Sequence, residues 1–183
     1  MKKLVLSLFV FAFISGAAFA VDFDPASFPP SINAGNVLID AGIGFLHTGR
    51  TGSFSVPPLF AQVEYALPVG FPISVGGGFS FWQTRHDLWP LSGEWTISVF
   101  NFSARANWHF GLDISWLDLF TGFSFGYDVV TVGNRDGWNN APGNRFFWNW
   151  QVGARFFIFS DNIGVIVETG YPYMLKAGLT FRL

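Results

Sequence analysis

Seven charged residues of this sequence share one setting, on the polar side of segments in which apolar and polar residues alternate. They are Glu64, Arg105, Arg155, Glu168 and Lys176, with Asp40 and Asp118 nearby. Carboxylates and guanidinium groups form strong charge-assisted hydrogen bonds, and a charge that is removed from water must be paired. Counted from the nearest short connection or the C-terminus, the first five lie at similar depth. We therefore predict that the seven residues form one charge network.

The three histidines show no pattern typical of catalysis or metal binding. His47, His86 and His109 are widely separated, without metal-ligand spacing. None has a serine two residues away on the same strand face, where a nucleophile and its base could meet. The chain contains no cysteine, which excludes disulfides and thiolate metal sites. We predict no enzyme, no catalytic residue, no cofactor and no metal, and expect His109 to form hydrogen bonds near a short connection.

The composition is typical of a chain that disperses apolar residues along strands. Hydrophobic residues make up 50% of the 183 residues and charged residues 12%, with 24 Phe and 8 Trp. Soluble domains carry about 25% charged residues. Beyond the N-terminus no run of about 20 apolar residues occurs, as a membrane helix would need. The length suits one domain, and the lack of a basic patch argues against a nucleic-acid partner.

The N-terminal residues 1–20 predict a cleaved signal peptide. Lys2 and Lys3 form a basic start, an apolar stretch follows, and a small-x-small tripeptide ending at Ala20 is typical of a cleavage site. Removing the two lysines from 10 basic residues leaves 8 against 12 acidic ones, a net charge of −4. Residues 21–35, rich in Pro and small polar residues, predict a periplasmic lead-in without regular structure.

From residue 36 to residue 183 the sequence predicts a single β-barrel domain. Alternation with a period of two, which indicates β-strands, covers residues 36–46, 59–67, 72–83, 96–110, 116–130, 145–159, 162–170 and 174–183. A membrane-crossing strand needs about 9–11 residues. Short and long connections alternate, as the short periplasmic turns and longer outside loops of outer-membrane barrels do. We predict a monomeric, all-β, eight-stranded antiparallel up-and-down transmembrane barrel.

The aromatic-rich face of these strands should point outward. The interior of an eight-stranded barrel is only just wide enough for side chains to fill it, so most of the strand Phe and Trp residues would not fit inside. Gly, Ser, Asn, Thr and the charged residues would fit. An outward apolar face requires lipid, and aromatic girdles are expected at both interfaces. The girdle residues are Trp108 and Trp116 near a short connection, and Tyr127, Trp148 and Trp150 toward the other end.

This orientation places the charge network in the barrel lumen, where two roles remain open. The network is either a structural plug that fixes the packing of the lumen, or a gate whose re-pairing opens a narrow path for ions or small solutes. A wide porin is excluded, because such proteins need about 16 strands. The long loops over residues 49–55, 85–94 and 133–144, with Trp89 and Trp138, either bind a host or envelope partner or are plain solvated loops.

Several segments carry a family likeness. Residues 152–162 read VGARFFIFSDN, residues 168–171 read ETGY, and the last nine residues read LKAGLTFRL. On these segments the chain resembles the small OmpA/OmpX-like outer-membrane β-barrel superfamily. The resemblance implies export to the bacterial outer membrane, with lipid and the barrel-assembly machinery as partners. It also implies that the last strand, with Leu179, Phe181 and Leu183, is the assembly signal, although such signals usually end in Phe.

Overall fold

The fold is described from a computed structural model over residues 23–24, 26–47, 53–87, 94–133 and 143–183. These ranges contain nine strands, and no helix among them is long and apolar enough to cross a membrane. The strands are β1 (Phe23–Asp24), β2 (Val37–His47), β3 (Ser53–Ala66), β4 (Ile73–Asp87), β5 (Glu94–Leu112), β6 (Leu117–Gly133), β7 (Arg145–Ser160), β8 (Ile163–Gly170) and β9 (Tyr173–Arg182).

Strands β2 to β9 form a closed barrel. Each pairs antiparallel with its neighbour in the chain, and β2 also pairs with β9, for example Ile39 with Phe181 and Ile43 with Ala177. Closure leaves neither β2 nor β9 as a free edge, which is how barrels avoid unpaired backbone groups. The predicted eight-stranded, all-antiparallel up-and-down barrel is confirmed.

The strand bounds differ most from the prediction in β3. The sequence predicted a start at residue 59, after Pro57 and Pro58, but β3 begins at Ser53. The predicted start is wrong, because the strand continues past both prolines although a proline has no N–H to donate to a neighbouring strand. The strand instead passes this point with register shifts between Phe54 and Leu59, and such bulges accommodate residues that cannot pair regularly.

Side chains alternate between the two faces of the barrel as expected. Phe102, Phe125 and Trp148 are 52%, 61% and 74% exposed on the outside, whereas Asp40 and Glu64 are buried in the lumen. The predicted outward direction of the aromatic face is therefore confirmed.

The lumen also contains apolar side chains that the sequence analysis did not place there. Trp82, Ile97 and Val99 are buried in the halves of β4 and β5 that lie toward their long connection. They belong to a cluster that also contains Phe60, Phe120 and Ile166. The lumen thus has an apolar part in addition to the predicted polar part.

The lead-in packs against the turn end of the barrel, and we call it the strap (residues 23–24 and 26–36). Phe23 and Asp24 pair with the end of β5, so this part has regular structure that the sequence did not predict. Ser31 is fully buried, and its Oγ donates to the carbonyl of Leu117 at 3.0 Å. Ile32 is buried in an apolar cluster with Leu38, Ala66 and Phe157, against which Phe28 packs.

Candidate functional site

Arg155 forms the centre of the lumen network. From β7 it donates from Nε and Nη2 to the two carboxylate oxygens of Asp40, at 3.1 and 2.8 Å. Its Nη2 also donates to Glu64 at 2.7 Å, and its Nη1 to Asp118 at 3.0 Å. The carbon Cζ lies 4.4 Å from the centre of the Phe120 ring. One fully buried guanidinium therefore joins carboxylates from β2, β3 and β6, using the planar fork that makes Arg suited to such sites.

Arg105 and Lys176 form a second cationic centre around Glu168. The Nη2 of Arg105 donates to Glu168 at 2.7 Å, and its Nε lies 3.1 Å from Glu64. The Nζ of Lys176 lies 2.7 Å from the other oxygen of Glu168. Because Glu64 contacts both Arg105 and Arg155, the two centres share a carboxylate.

Gln62 links the two centres, and the sequence analysis did not single it out. Its Nε2 donates to Asp40 at 2.8 Å and to Glu168 at 3.3 Å. Its Oε1 accepts from Lys176 at 2.8 Å and from Arg105. The signal for its role was its place two residues from Glu64 on the same strand face, but an uncharged amide did not stand out from the other polar residues.

All seven predicted charged residues are thus brought together in one connected set, which we call the lumen network. Its members are Asp40, Glu64, Arg105, Asp118, Arg155, Glu168 and Lys176. Within the described residues, no group of three or more His, Cys, Asp or Glu side chains is arranged to hold a metal ion. The carboxylates are instead occupied by cationic and amide donors.

A chain of hydrogen bonds runs from the lumen network through His109. Its Nδ1 lies 2.7 Å from Asp118 and its Nε2 lies 2.9 Å from Ser74, whose hydroxyl donates to Glu64 at 2.7 Å. The search for serine partners on the same strand face missed Ser74, because the four residues come from β3, β4, β5 and β6. Only the register between strands brings them together.

Ser74, His109 and Asp118 are connected in the order found in serine hydrolases. All three are fully buried. In a hydrolase the serine gives its hydrogen to the histidine, but the hydroxyl of Ser74 points its hydrogen at Glu64. The arrangement is therefore suited to relaying hydrogen bonds through the lumen rather than to activating a nucleophile.

A second polar cluster, the rim cluster, lies near the loop ends of β6 and β7. The Oδ2 of Asp128 accepts from Arg145 Nε at 2.9 Å and from the Tyr171 hydroxyl at 2.6 Å. Its Oδ1 accepts from Asn101 at 2.7 Å, and Phe147 packs against the Tyr171 ring with centroids 4.8 Å apart. Burial and the hydrogen bond to Asp128 raise the pKa of Tyr171. The sequence did not indicate this cluster.

The other predicted residues lie on the outside of the barrel or beyond the described ranges. Trp116, Trp148 and Trp150 are exposed, and Trp108 and Tyr127 are partly exposed. On β9 and just after it, Leu179 and Leu183 are exposed and Phe181 is partly exposed. The loop residues Trp89 and Trp138 and the predicted signal peptide, residues 1–20, lie outside the described residues. The roles as girdle and assembly signal stay predictions.

Comparison with known proteins identifies a fold. No protein-family model matches the chain, and no curated protein matches it. Among solved structures, it is similar to Ail, the attachment invasion locus protein of Yersinia pestis, with a TM-score of 0.52 and 13% identity over 82% of this chain and 100% of that one. A second is the N-terminal β-barrel domain of Pseudomonas aeruginosa OprF, with a TM-score of 0.43 and 15% identity over 81% and 98%. The likeness to Ail is one of fold, and this chain forms a closed barrel of eight antiparallel strands.

Proposed function

We propose that this chain is an integral outer-membrane barrel with a plugged lumen, which acts as a structural or surface-interaction protein and not as an enzyme. One observation carries the proposal: the faces are inverted relative to a water-soluble barrel. Outside, Phe102, Phe125 and Trp150 are more than half exposed, while inside Arg155 and Asp40 are fully buried. An apolar outer band around a polar interior is the arrangement of membrane barrels, and in water such a surface would aggregate.

Three layers of buried side chains support a closed lumen. At the turn end the strap buries Ser31 and Ile32. The lumen network follows, with Arg155 making four hydrogen bonds to carboxylates. Toward the loop end come Trp82 and Val99 of the apolar cluster, both fully buried. Ions would have to displace each layer in turn, which favours a plug.

A narrow conduit is the second candidate, favoured by the shared partners around Gln62. Arg105 and Lys176 both contact Glu168 and Gln62, so one cation can leave while the other keeps the carboxylate paired. Breaking a buried ion pair is costly because it leaves a charge without a partner. Since Glu168 would keep one cation, breaking either of its ion pairs costs less free energy. Re-pairing of this kind would be the conducting step.

Conductance of the refolded mature protein in planar bilayers separates the two candidates. A heat-dependent shift on a gel confirms that each sample is folded. For a plugged barrel we expect no reproducible channel, for the wild type and for the matched control Ser80→Ala alike. A small, reproducible conductance that changes in Glu168→Gln or Arg155→Gln, but not in the control, would contradict the plugged lumen and favour the conduit.

The surface-interaction role is supported by the fold relative Ail, whose solved structure is a complex with the heparin analogue sucrose octasulfate. In this chain Arg50 and Arg135 fall in the predicted outside loops, as cations suited to a sulfated polymer. We expect folded protein to be retained on immobilised heparin at low salt, and Arg50→Gln/Arg135→Gln to lose retention. Arg182→Gln, at the other end of the barrel, is the control. No retention of the wild type would contradict this role.

A further inference from the structure

The hydrogen-bond chain through His109 holds more hydrogens than its groups carry in their ordinary neutral-pH forms. Its three contacts join Asp118 to His109, His109 to Ser74, and Ser74 to Glu64, at 2.7, 2.9 and 2.7 Å. Each contact needs a hydrogen between its two atoms, since two lone pairs at this distance repel. The serine hydroxyl supplies one hydrogen and a neutral imidazole supplies one. The third must be an additional proton.

The partners of the carboxylates show where this proton lies. Asp118 also accepts from Arg155 at 3.0 Å, and Glu64 from Arg155 at 2.7 Å. Arg105 approaches the same oxygen of Glu64 at 3.1 Å. Neighbouring guanidinium groups favour the ionised form of a carboxylate. The additional proton therefore belongs on the imidazole, where both ring nitrogens donate.

The charges of the lumen network agree with this assignment. The network contains four carboxylates but only three cations, so one negative charge is left over. In a buried site an uncompensated charge is costly. A proton on His109 supplies the fourth positive charge and makes the buried network neutral.

We propose that the lumen is a proton-binding site, in which His109 carries both ring protons as the fourth cation of the lumen network. This proposal goes beyond the proposed function, because it requires only the interior contacts and holds in detergent as in a membrane.

The surroundings of His109 come from five parts of the chain. Its hydrogen-bond chain involves Asp118 on β6, Ser74 on β4 and Glu64 on β3, and Arg155 on β7 approaches both carboxylates. Two rings flank the imidazole: Phe28 of the strap at 5.6 Å and Phe120 of β6 at 6.0 Å between centroids. The nearest charges are therefore two acidic partners and the guanidinium groups they already bind, and aromatic rings shield the imidazole.

Nitrogen NMR of His109 tests the proposal directly. The protein carries three histidines, so His47→Gln/His86→Gln leaves one signal set, measured on ¹⁵N-labelled folded protein in detergent micelles. We expect both ring nitrogens of the folded protein at the imidazolium position, because each of them donates a hydrogen bond. Two distinct nitrogen signals, as a neutral ring gives, would overturn the proposal. A membrane or conductance result has no bearing on this outcome.

Two serine variants test whether the contact between His109 and Ser74 holds the second ring proton. Ser74→Ala removes the acceptor of Nε2, whereas Ser80→Ala removes a buried hydroxyl from the same face of β4. We expect the Nε2 signal of His109 to leave the imidazolium position in Ser74→Ala and to keep it in Ser80→Ala. Equal ring-nitrogen spectra of the two variants would show that the chain of hydrogen bonds does not hold the proton.

Discussion

Arg155 on β7 binds Asp40 on β2 across the barrel interior, through two hydrogen bonds of 2.8 and 3.1 Å. The two residues are 115 positions apart, and along the wall β8 and β9 lie between their strands. The pair therefore braces the barrel through its lumen, independently of the backbone ladder. Planar bidentate contacts of this kind fix geometry as well as charge.

Replacing Arg155 should be the most destabilising single change in the lumen network. Arg155→Gln leaves Asp40, Glu64 and Asp118 buried with fewer donors, and removing one partner of a buried ion pair costs about 3–5 kcal/mol. Urea unfolding in lipid vesicles, followed by Trp fluorescence, measures the loss. The matched control is Arg145→Gln, since that side chain is 47% exposed and Asp128 keeps two other donors. Equal losses for the two variants would contradict the bracing role.

Gly153 should tolerate no side chain, because the lumen is filled at this point. A Cβ there would lie 2.3 Å from the Phe120 ring, which itself packs on the Arg155 guanidinium. Overpacking of this kind costs about 1–3 kcal/mol, and the same urea assay measures it for Gly153→Ala. In the control Gly77→Ala the nearest atom is 3.4 Å away, so little change is expected. Wild-type stability of Gly153→Ala would show that the lumen has spare room.

The strap should open more readily when its apolar anchor is shortened. Ile32 is buried with Leu38 and Phe157, and truncating such a residue to Ala costs about 2–5 kcal/mol. Since about 1.4 kcal/mol is a factor of ten, Ile32→Ala should speed the thiol labelling of the Ser31→Cys variant at least tenfold. The chain has no native cysteine to interfere. Val69→Ala, at an exposed turn residue, serves as control. An unchanged labelling rate would mean that Ile32 does not hold the strap.

The barrel and the lumen network could be predicted because each follows from a local rule. Alternation with a period of two fixes which residues share a face, and a narrow lumen then decides which face is inside. Charges on that inner face must find partners. The contacts of Arg155 with Asp40 and Asp118 follow this reasoning.

Gln62 and Ser74 could not be predicted in the same way. Both are neutral polar residues among many on the inner face, and only the register of β3, β4 and β5 brings them to the charges. Trp82 was missed for a different reason. It lies near the end of a predicted strand, where the alternation does not assign a side chain firmly to the inner or the outer face of the barrel. The strap was missed because its prolines suggested a segment without pairing.

Tyr171 in the rim cluster should keep its proton to unusually high pH. Burial and the 2.6 Å hydrogen bond to Asp128 raise its pKa above the ordinary value of about 10. The folded state holds the Tyr171 proton more tightly than the unfolded state. Its contribution to the free energy of unfolding is therefore fully present below about pH 10 and is lost as the pH rises further. The ultraviolet difference between wild type and Tyr171→Phe should therefore show phenolate absorbance only above that pH in folded protein. Ionisation at the ordinary value would show that the hydroxyl does not donate to Asp128, and that the rim cluster is open to water.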